Sequence, residues 1–319
     1  MTTWTDEITE TLRRSGFIVP GFMRTASISR ELLDYWAASG VDTTPFGQWQ
    51  TILVTGVPYR VSGPEDLSTP DSPHGLFAPF ARRNHYRGSV SFLKNALGPL
   101  LSRHGYEQKR LRIFSNSRLP EKTLAVLAGL GSYGKNSLVI SEEHGSAFVI
   151  AGAFLPLDIP GSGGSANRIC GSADISRGAF CGSCARCVEA CPAGAITVPG
   201  VVDRSRCLQA LSTVHVSLTD AQMTAWGKRI YGCNTCQDVC PRNSASAGMD
   251  IGEERPGPSV PLLDLLERDT PERMRKYFRG TVLDMGWVDH RAILRNAIIA
   301  AGNARPLSAG GREKLRQAV

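Results

Sequence analysis

Cys181-Gly-Ser-Cys184-Ala-Arg-Cys187-Val-Glu-Ala-Cys191-Pro192 is the stretch that decides how this chain folds. Three cysteines spaced by two residues, then a fourth after three more and a proline, form the run that gives three thiolates to one 4Fe-4S cubane and the fourth to another. A second half-motif is therefore required. Cys233-Asn-Thr-Cys236-Gln-Asp-Val-Cys240-Pro241 supplies it, with Cys207 isolated between the two runs. Short loops let several sulfurs converge, and each proline resists further helix or strand pairing beside the site. We assign the cysteines crosswise: Cys181, Cys184, Cys187 and Cys240 to one cluster, and Cys191, Cys207, Cys233 and Cys236 to the other. A pair of zinc ribbons is the competing reading, since Cys-x2-Cys pairs are common zinc ligands. A third cysteine two residues on and the Cys-Pro endings have no use in that arrangement. Disulfides are not expected, because no secretory leader opens at Met1 and the thiols should stay reduced. Cys170 fits neither set and reads as an ordinary small buried residue or a thiol facing the site.

With 42% hydrophobic and 20% charged residues in 319, the composition is that of a globular protein long enough for two or three units. No apolar run approaches the roughly 20 residues that span a bilayer, so a cytoplasmic protein with no membrane partner is expected. A formal charge of +7 favours a polyanionic partner, nucleic acid above all.

The first part of the chain alternates. Thr5 to Arg14, with early acids and late arginines, predicts a short helix stopped near Gly16. Thr51–Tyr59, Leu111–Phe114 and Ser146–Phe154 predict buried strands, and residues 90–101 and 121–127 predict helices between them. Strands separated by helices argue for an α/β or α+β sandwich. Pro64–Pro79 reads as a surface excursion. It leads into Arg82-Arg83-Asn84-His85-Tyr86-Arg87, a cluster able to face an anionic ligand or to carry snorkelling arginines at a helix start.

Gly129-Leu-Gly131-Ser-Tyr-Gly134-Lys135-Asn136 satisfies Gly-x-Gly-x-x-Gly and comes close to a P-loop. Both nucleotide readings need a strand before the glycines, whereas residues 121–128 are helical in pattern, and Asn136 replaces the hydroxyl that would hold magnesium. The glycines fit a helix cap, or a loop whose backbone approaches a large planar cofactor. Gly161–Ser165 has the composition of a linker. Beyond a polar stretch over residues 244–258, Arg291–Asn303 places apolar residues at 293, 294, 297, 298 and 301, a core-facing stripe capped at Gly302.

Taken together, these residues resemble the epoxyqueuosine reductase family. The resemblance is carried by Ala78-Pro-Phe-Ala-Arg82, the glycine loop from Ala128 to Asn136, Gly145-Ser-Ala-Phe, Leu157-Asp-Ile-Pro160, the cysteine series with Arg206-Cys207, Tyr231-Gly-Cys233-Asn-Thr-Cys236-Gln and Leu294-Arg-Asn-Ala297. It implies two 4Fe-4S clusters, a cobalamin, and reduction of the epoxide of a modified wobble base in transfer RNA. The implied architecture is α+β: a nitroreductase-like cobalamin and substrate domain over residues 1–160, a ferredoxin-like two-cluster domain over 161–250 and a short helical segment over 251–319. The implied cofactor lining is Arg82, Asn116, Lys135, Asn136 and Ser137. A flavodoxin- or ferredoxin-type electron donor, a transfer RNA substrate and a monomer are expected with it.

The chain departs from the family on the substrate side. Asn116 stands where the family has an aspartate acid, and a carboxamide cannot donate a proton as a carboxylic acid does. Tyr133 is the other residue considered for that role. Ser132 replaces a tryptophan, Ala153 replaces a glutamate, and the C-terminal helical repeats are short. Two further readings therefore stand beside the first: a paralogue reducing an organohalide or corrinoid-linked small molecule, and a non-catalytic electron-transfer or corrinoid-handling protein.

Overall fold

The computed structural model describes residues 3–60, 66–107, 111–159, 178–243, 255–304, 307–311 and 313. Gly161–Ser165 and Cys170 lie outside them. In chain order the strands are β1 (Gly21–Arg24), β2 (Thr51–Pro58), β3 (His74–Phe77), β4 (Arg112–Phe114), β5 (Ser132–Tyr133), β6 (Val139–Ile140), β7 (Phe148–Leu155), β8 (Ile196–Val198), β9 (Val201–Val202), β10 (Arg229–Tyr231) and β11 (Ser259–Pro261). The helices are α1 (Trp4–Arg14), α2 (Arg30–Ala38), α3 (Thr44–Gln48), α4 (His85–Arg103), α5 (Glu121–Leu127), α6 (Arg186–Glu189), α7 (Leu208–Leu211), α8 (Asp220–Trp226), α9 (Thr235–Asp238), α10 (Leu262–Leu266), α11 (Pro271–Tyr277) and α12 (His290–Asn303). They form two units, neither continuous in sequence. The first takes Met1–Arg60, His85–Cys184 and Pro241–Ile251; the second takes Val61–Asn84, Ala185–Cys240 and Gly252–Val319.

In the first unit a four-stranded antiparallel sheet runs β1-β2-β7-β4. Strand β2 is buried at all its positions because both faces are covered. Ile52 and Val54 point to a cluster with Trp36 of α2, Phe46 of α3 and Leu124 of α5. Leu53 and Val57 point the other way, to Ile8 and Leu12 of α1 and Leu93 and Leu97 of α4. Each such buried aliphatic side chain contributes about 1.5–3 kcal/mol, so the period-two alternation of one strand fixes a helix–sheet–helix sandwich. Helix α1 starts on a capping box in which Thr3 and Asp6 satisfy each other's backbone amides, and Gly16, at φ 84°, follows its end. The expected strands are β2, β4 and β7, of which β2 and β7 are buried while β4 is the sheet edge, with Arg112 exposed and Phe114 buried. Strand β1 and helices α2 and α3 were not anticipated; β1 has four residues, too few for a periodic signal, and exists through its pairing with β2.

In the second unit β3 lies between β10, parallel to it, and β11, antiparallel. The stretch Pro64–Pro79 is therefore not wholly a surface excursion, since its residues 74–77 form the central strand of a sheet. No local pattern announces strands of three or four residues whose partners lie some 150 positions away. Helices α10 to α12 follow. In α12 the buried stripe is Ala292, Ile293, Asn296, Ala297, Ala300 and Ala301, while Ile298 is 47% exposed and the helix runs past Gly302 to Asn303. The expected stripe thus turns about one position, because a buried asparagine sits at its centre. Among the described residues no helix is long and apolar enough to cross a membrane.

Candidate functional site

The two cysteine half-motifs fold alike. Ala185 (φ −123°, ψ 9°) and Asn234 (φ −121°, ψ 10°) cap single helical turns, α6 and α9, that hold Cys187 and Cys236. Matching backbone bonds close each turn: Cys191 N–H donates to Val188 O at 3.3 Å, and Cys240 N–H to Gln237 O at 3.1 Å. The turns pack against each other. One structural unit is thus used twice, forty-nine residues apart, as the sequence spacing requires.

Within the second unit, five sulfurs act on one another. Burial pushes the Cys236 thiol up to about 12, and the neighbouring thiols of Cys233, Cys207, Cys187 and Cys191 add to the rise. Cys207 is likewise raised, first by burial, with Cys233 and Cys191 contributing and the amides of Ala210 and Gln209 opposing. Thiolates crowded in this way are unfavourable until iron supplies positive charge, which is the chemistry of a cluster site. Backbone donors are in place, too: Ala195 N–H meets Cys191 Sγ at 3.2 Å, and bonds of this kind tune cluster potentials. Among the described residues no three His, Cys, Asp or Glu side chains close around a single ion; a cubane, which holds its ligands apart, does not ask for that. Of the other proposed set, Cys181 and Cys184 belong to the first unit and Cys187 and Cys240 to the second.

Residues outside the cysteine runs hold the second set in place. Asn296, fully buried on α12, donates to Ser212 O at 3.1 Å and to Ile230 O at 2.8 Å, tying the end of the Cys207 helix α7 to the strand that leads into Cys233. Arg295 donates to Leu211 O, Val214 O and Val216 O and stacks over Trp226. Gln209 accepts from Cys233 N–H at 3.1 Å. The signal for Asn296 was available as a polar residue in the middle of an apolar helical stripe. Asn296→Ala leaves two buried carbonyls without donors and is expected to cost about 2–4 kcal/mol in denaturant unfolding, with iron lost preferentially from the second cluster.

In the first unit, Asn116, Tyr133, Lys135, Asn136 and Ser137 lie on two loops that share an anchor. Asn116 (φ 50°) and Ser137 (φ 60°) are the only non-glycine residues with positive φ among those described. Three consecutive residues of α5 reach these loops. The Glu121 carboxylate accepts from Asn116 N–H at 2.9 Å and Ser117 N–H at 2.6 Å. Lys122 Nζ donates to Ser137 O at 3.0 Å, and Thr123 Oγ1 lies 3.2 Å from the Tyr133 hydroxyl. Left-handed backbone is costly for serine and held only where the surroundings fix it. Asn116 is exposed, Ser137 half-buried, and Tyr133 and Asn136 buried. Asn136 Oδ1 accepts from Leu138 N–H inside its own loop. The glycines serve the chain itself: Gly129 (φ 81°) ends α5, and a Cβ on Gly131 would lie 2.3 Å from Ile140 O across the β5–β6 hairpin. Arg82 lies in the second unit, buried, where its charge acts on Asp238.

Burial raises the Glu121 pKa above its ordinary 4.5, against the pull of the Ser117 and Asn116 amides. Its ionised form is therefore the costlier one in the folded state, and the parent should lose stability relative to Glu121→Gln as pH rises through that raised value. The glutamine can accept only one of the two amides well. Exchange at Asn116 or Ser117 is expected to quicken about tenfold, the equivalent of one lost hydrogen bond, as read by hydrogen–deuterium exchange.

Residues 180–243 match the family model of the 4Fe-4S double cluster binding domain. The chain is 33% identical over 205 residues to epoxyqueuosine reductase of Burkholderia pseudomallei, covering 63% of this chain and 49% of that one. It is 29% identical over 300 residues to the enzyme of the same name from Alicycliphilus denitrificans, covering 91% and 72%. Among solved structures, an epoxyqueuosine reductase with an epoxyqueuosine-modified tRNA-Tyr stem loop superposes with a TM-score of 0.73 at 22% identity, covering 98% of this chain and 84% of that one. The resemblance to epoxyqueuosine reductases thus holds in sequence and in fold, and residues 180–243 carry a two-cluster 4Fe-4S domain. The chain spans about half the length of the curated relatives it matches.

Proposed function

We propose that the chain is an iron–sulfur, cobalamin-dependent reductase that converts epoxyqueuosine to queuosine in transfer RNA. The observation that carries this reading is the coupling of two features in the first unit: the glycine loop is hydrogen-bonded to the cluster peptide, Gly178 N–H to Tyr133 O at 3.0 Å and Lys135 Nζ to Gly182 O at 2.7 Å. A ligand seated on that loop would stand next to the cluster ligands Cys181 and Cys184. Cobalamin, when bound, would supply a low-potential cobalt for reducing the carbon–oxygen bond. The residues suit it in part: Asn116 is exposed and Ser137 half-buried on loops fixed to one helical turn, whereas Asn136 would shape the loop rather than touch a ligand. Arg82 is assigned to the lining on the family resemblance alone. We read the first unit as nitroreductase-like, with functional segments 1–160 for cofactor and substrate, 161–250 for the clusters and 251–319 as the helical end.

The chain's own residues would orient the substrate and deliver a proton. At the acid position Asn116 can hydrogen-bond but not protonate, which leaves the Tyr133 hydroxyl or water. This departure supports a second reading, the same machinery acting on an organohalide or a corrinoid-linked small molecule. A flavodoxin- or ferredoxin-type donor, a monomeric state and a cytoplasmic setting complete the proposal.

Anaerobic reconstitution with iron, sulfide and cobalamin, followed by visible and electron paramagnetic resonance spectra, tests the cofactors. Mass spectrometry of epoxyqueuosine-bearing transfer RNA after reduction tests the substrate. Turnover with binding that weakens steeply as salt rises fits the first reading; a loaded protein indifferent to transfer RNA fits the second; a protein that takes no corrinoid is an electron carrier.

A further inference from the structure

Lys135 ends the Gly-x-Gly-x-x-Gly-Lys run, but its ammonium is not turned to a phosphate. It donates to Gly182 O at 2.7 Å, and Gly182 lies between Cys181 and Cys184 in the cluster peptide. That peptide is a tight coil. Cys181 N–H donates to Gly178 O at 3.1 Å, Gly182 N–H to Ala179 O at 3.1 Å and Cys184 N–H to Cys181 O at 3.0 Å. Gly178 (φ 85°) and Gly182 (φ 51°) hold backbone angles that side chains resist. Two of the coil's bonds, Gly178 N–H to Tyr133 O and Gly182 O from Lys135, run to the loop proposed to seat the cofactor. Arg242 stacks 4.8 Å over Phe180 of the same coil.

We infer that Lys135 is a positioning residue for the first cluster and sets its reduction potential. A cubane held by thiolates becomes more negative when it takes up one electron, and net charge and hydrogen bonding at the ligands are the protein's means of setting that potential. An ammonium hydrogen-bonded to the ligand peptide favours the reduced form over the oxidised one, and the same bond registers the cluster coil against the loop proposed to seat the cofactor. The inference rests on the cluster assignment made under the proposed function and goes beyond it by naming what poises one of the two clusters.

The test is a redox titration of the reconstituted full chain with dithionite as the one-electron reductant, followed by electron paramagnetic resonance. Lys135→Gln keeps a donor for Gly182 O but loses the charge; Lys135→Arg keeps both; Lys135→Met loses both. For the glutamine variant, the reduction equilibrium of one cluster is expected to move about tenfold toward the oxidised form, about 59 mV for one electron, while the other cluster stays put. Arginine should restore the parent value, and methionine should also lose iron from that cluster. Parent-like potentials for both clusters in Lys135→Gln, or an equal shift of both, would overturn the inference while leaving the cluster assignment intact. A parent that binds no cluster at Cys181, Cys184 and Cys187 overturns the assignment and the inference together.

Discussion

Cys236→Ser should halve the iron bound per chain and lower the melting temperature by about 10 °C, the shift that about 3 kcal/mol makes in a unit of this size. Cys236 sits in the middle of α9, with its thiol buried and raised by four neighbouring sulfurs. Serine offers a harder, poorer ligand for iron, and removing one of four ligands leaves three thiols crowded without a cation to stabilise them. The loss should be selective. Cys187 is on the matching turn α6 and is assigned to the other set on the spacing of the cysteines, so on that assignment the signal of the other cluster should persist in the variant. By the sequence count Cys170 serves neither set, and Cys170→Ser should keep all the iron. Iron analysis with thermal melting settles the matter: a Cys236→Ser protein with the parent's iron content would show that these sulfurs are grouped in some other way.

The cysteines were legible because their spacing is a local constraint: each half-motif is one helical turn with a fixed set of hydrogen bonds, and nothing distant is needed to form it. Strands β2 and β7 were legible for a related reason, since a strand covered on both faces must be a continuous apolar run, whereas β4 is an edge strand with Arg112 exposed and only Phe114 buried. What the sequence concealed depends on partners brought together by the fold. Strand β3 is defined by β10 and β11, both far along the chain. Glu121, Lys122 and Thr123 read as the unremarked first turn of a helix, yet each reaches a different residue of the candidate site. Lys135 reads in sequence as a near-miss to a phosphate loop, and the place of its ammonium on the cluster peptide follows from the fold. Asn296 was visible within a quoted motif, but its role in bridging α7 and β10 follows from packing rather than from pattern.

Asn116→Asp should raise any epoxide-reducing activity by at least about tenfold, since a placed general acid contributes about 10²–10⁴ to such a step. The backbone permits the change: residue 116 stands at φ 50°, a left-handed conformation that aspartate tolerates as asparagine does. The amide of residue 116 is bonded to Glu121, so the new carboxyl would share its turn with a second one whose pKa burial already raises. Like charges in one turn oppose ionisation. The introduced acid should therefore hold its proton above the ordinary aspartate range, and the gain in rate should be greatest at low pH and fade as pH rises through that raised value. Glu121→Gln in the same background removes the second carboxyl and should move the fading to lower pH. A variant no faster than the parent at any pH, with both clusters and corrinoid in place, would show that Asn116 belongs to a different chemistry, in which the substrate brings its own proton or needs none.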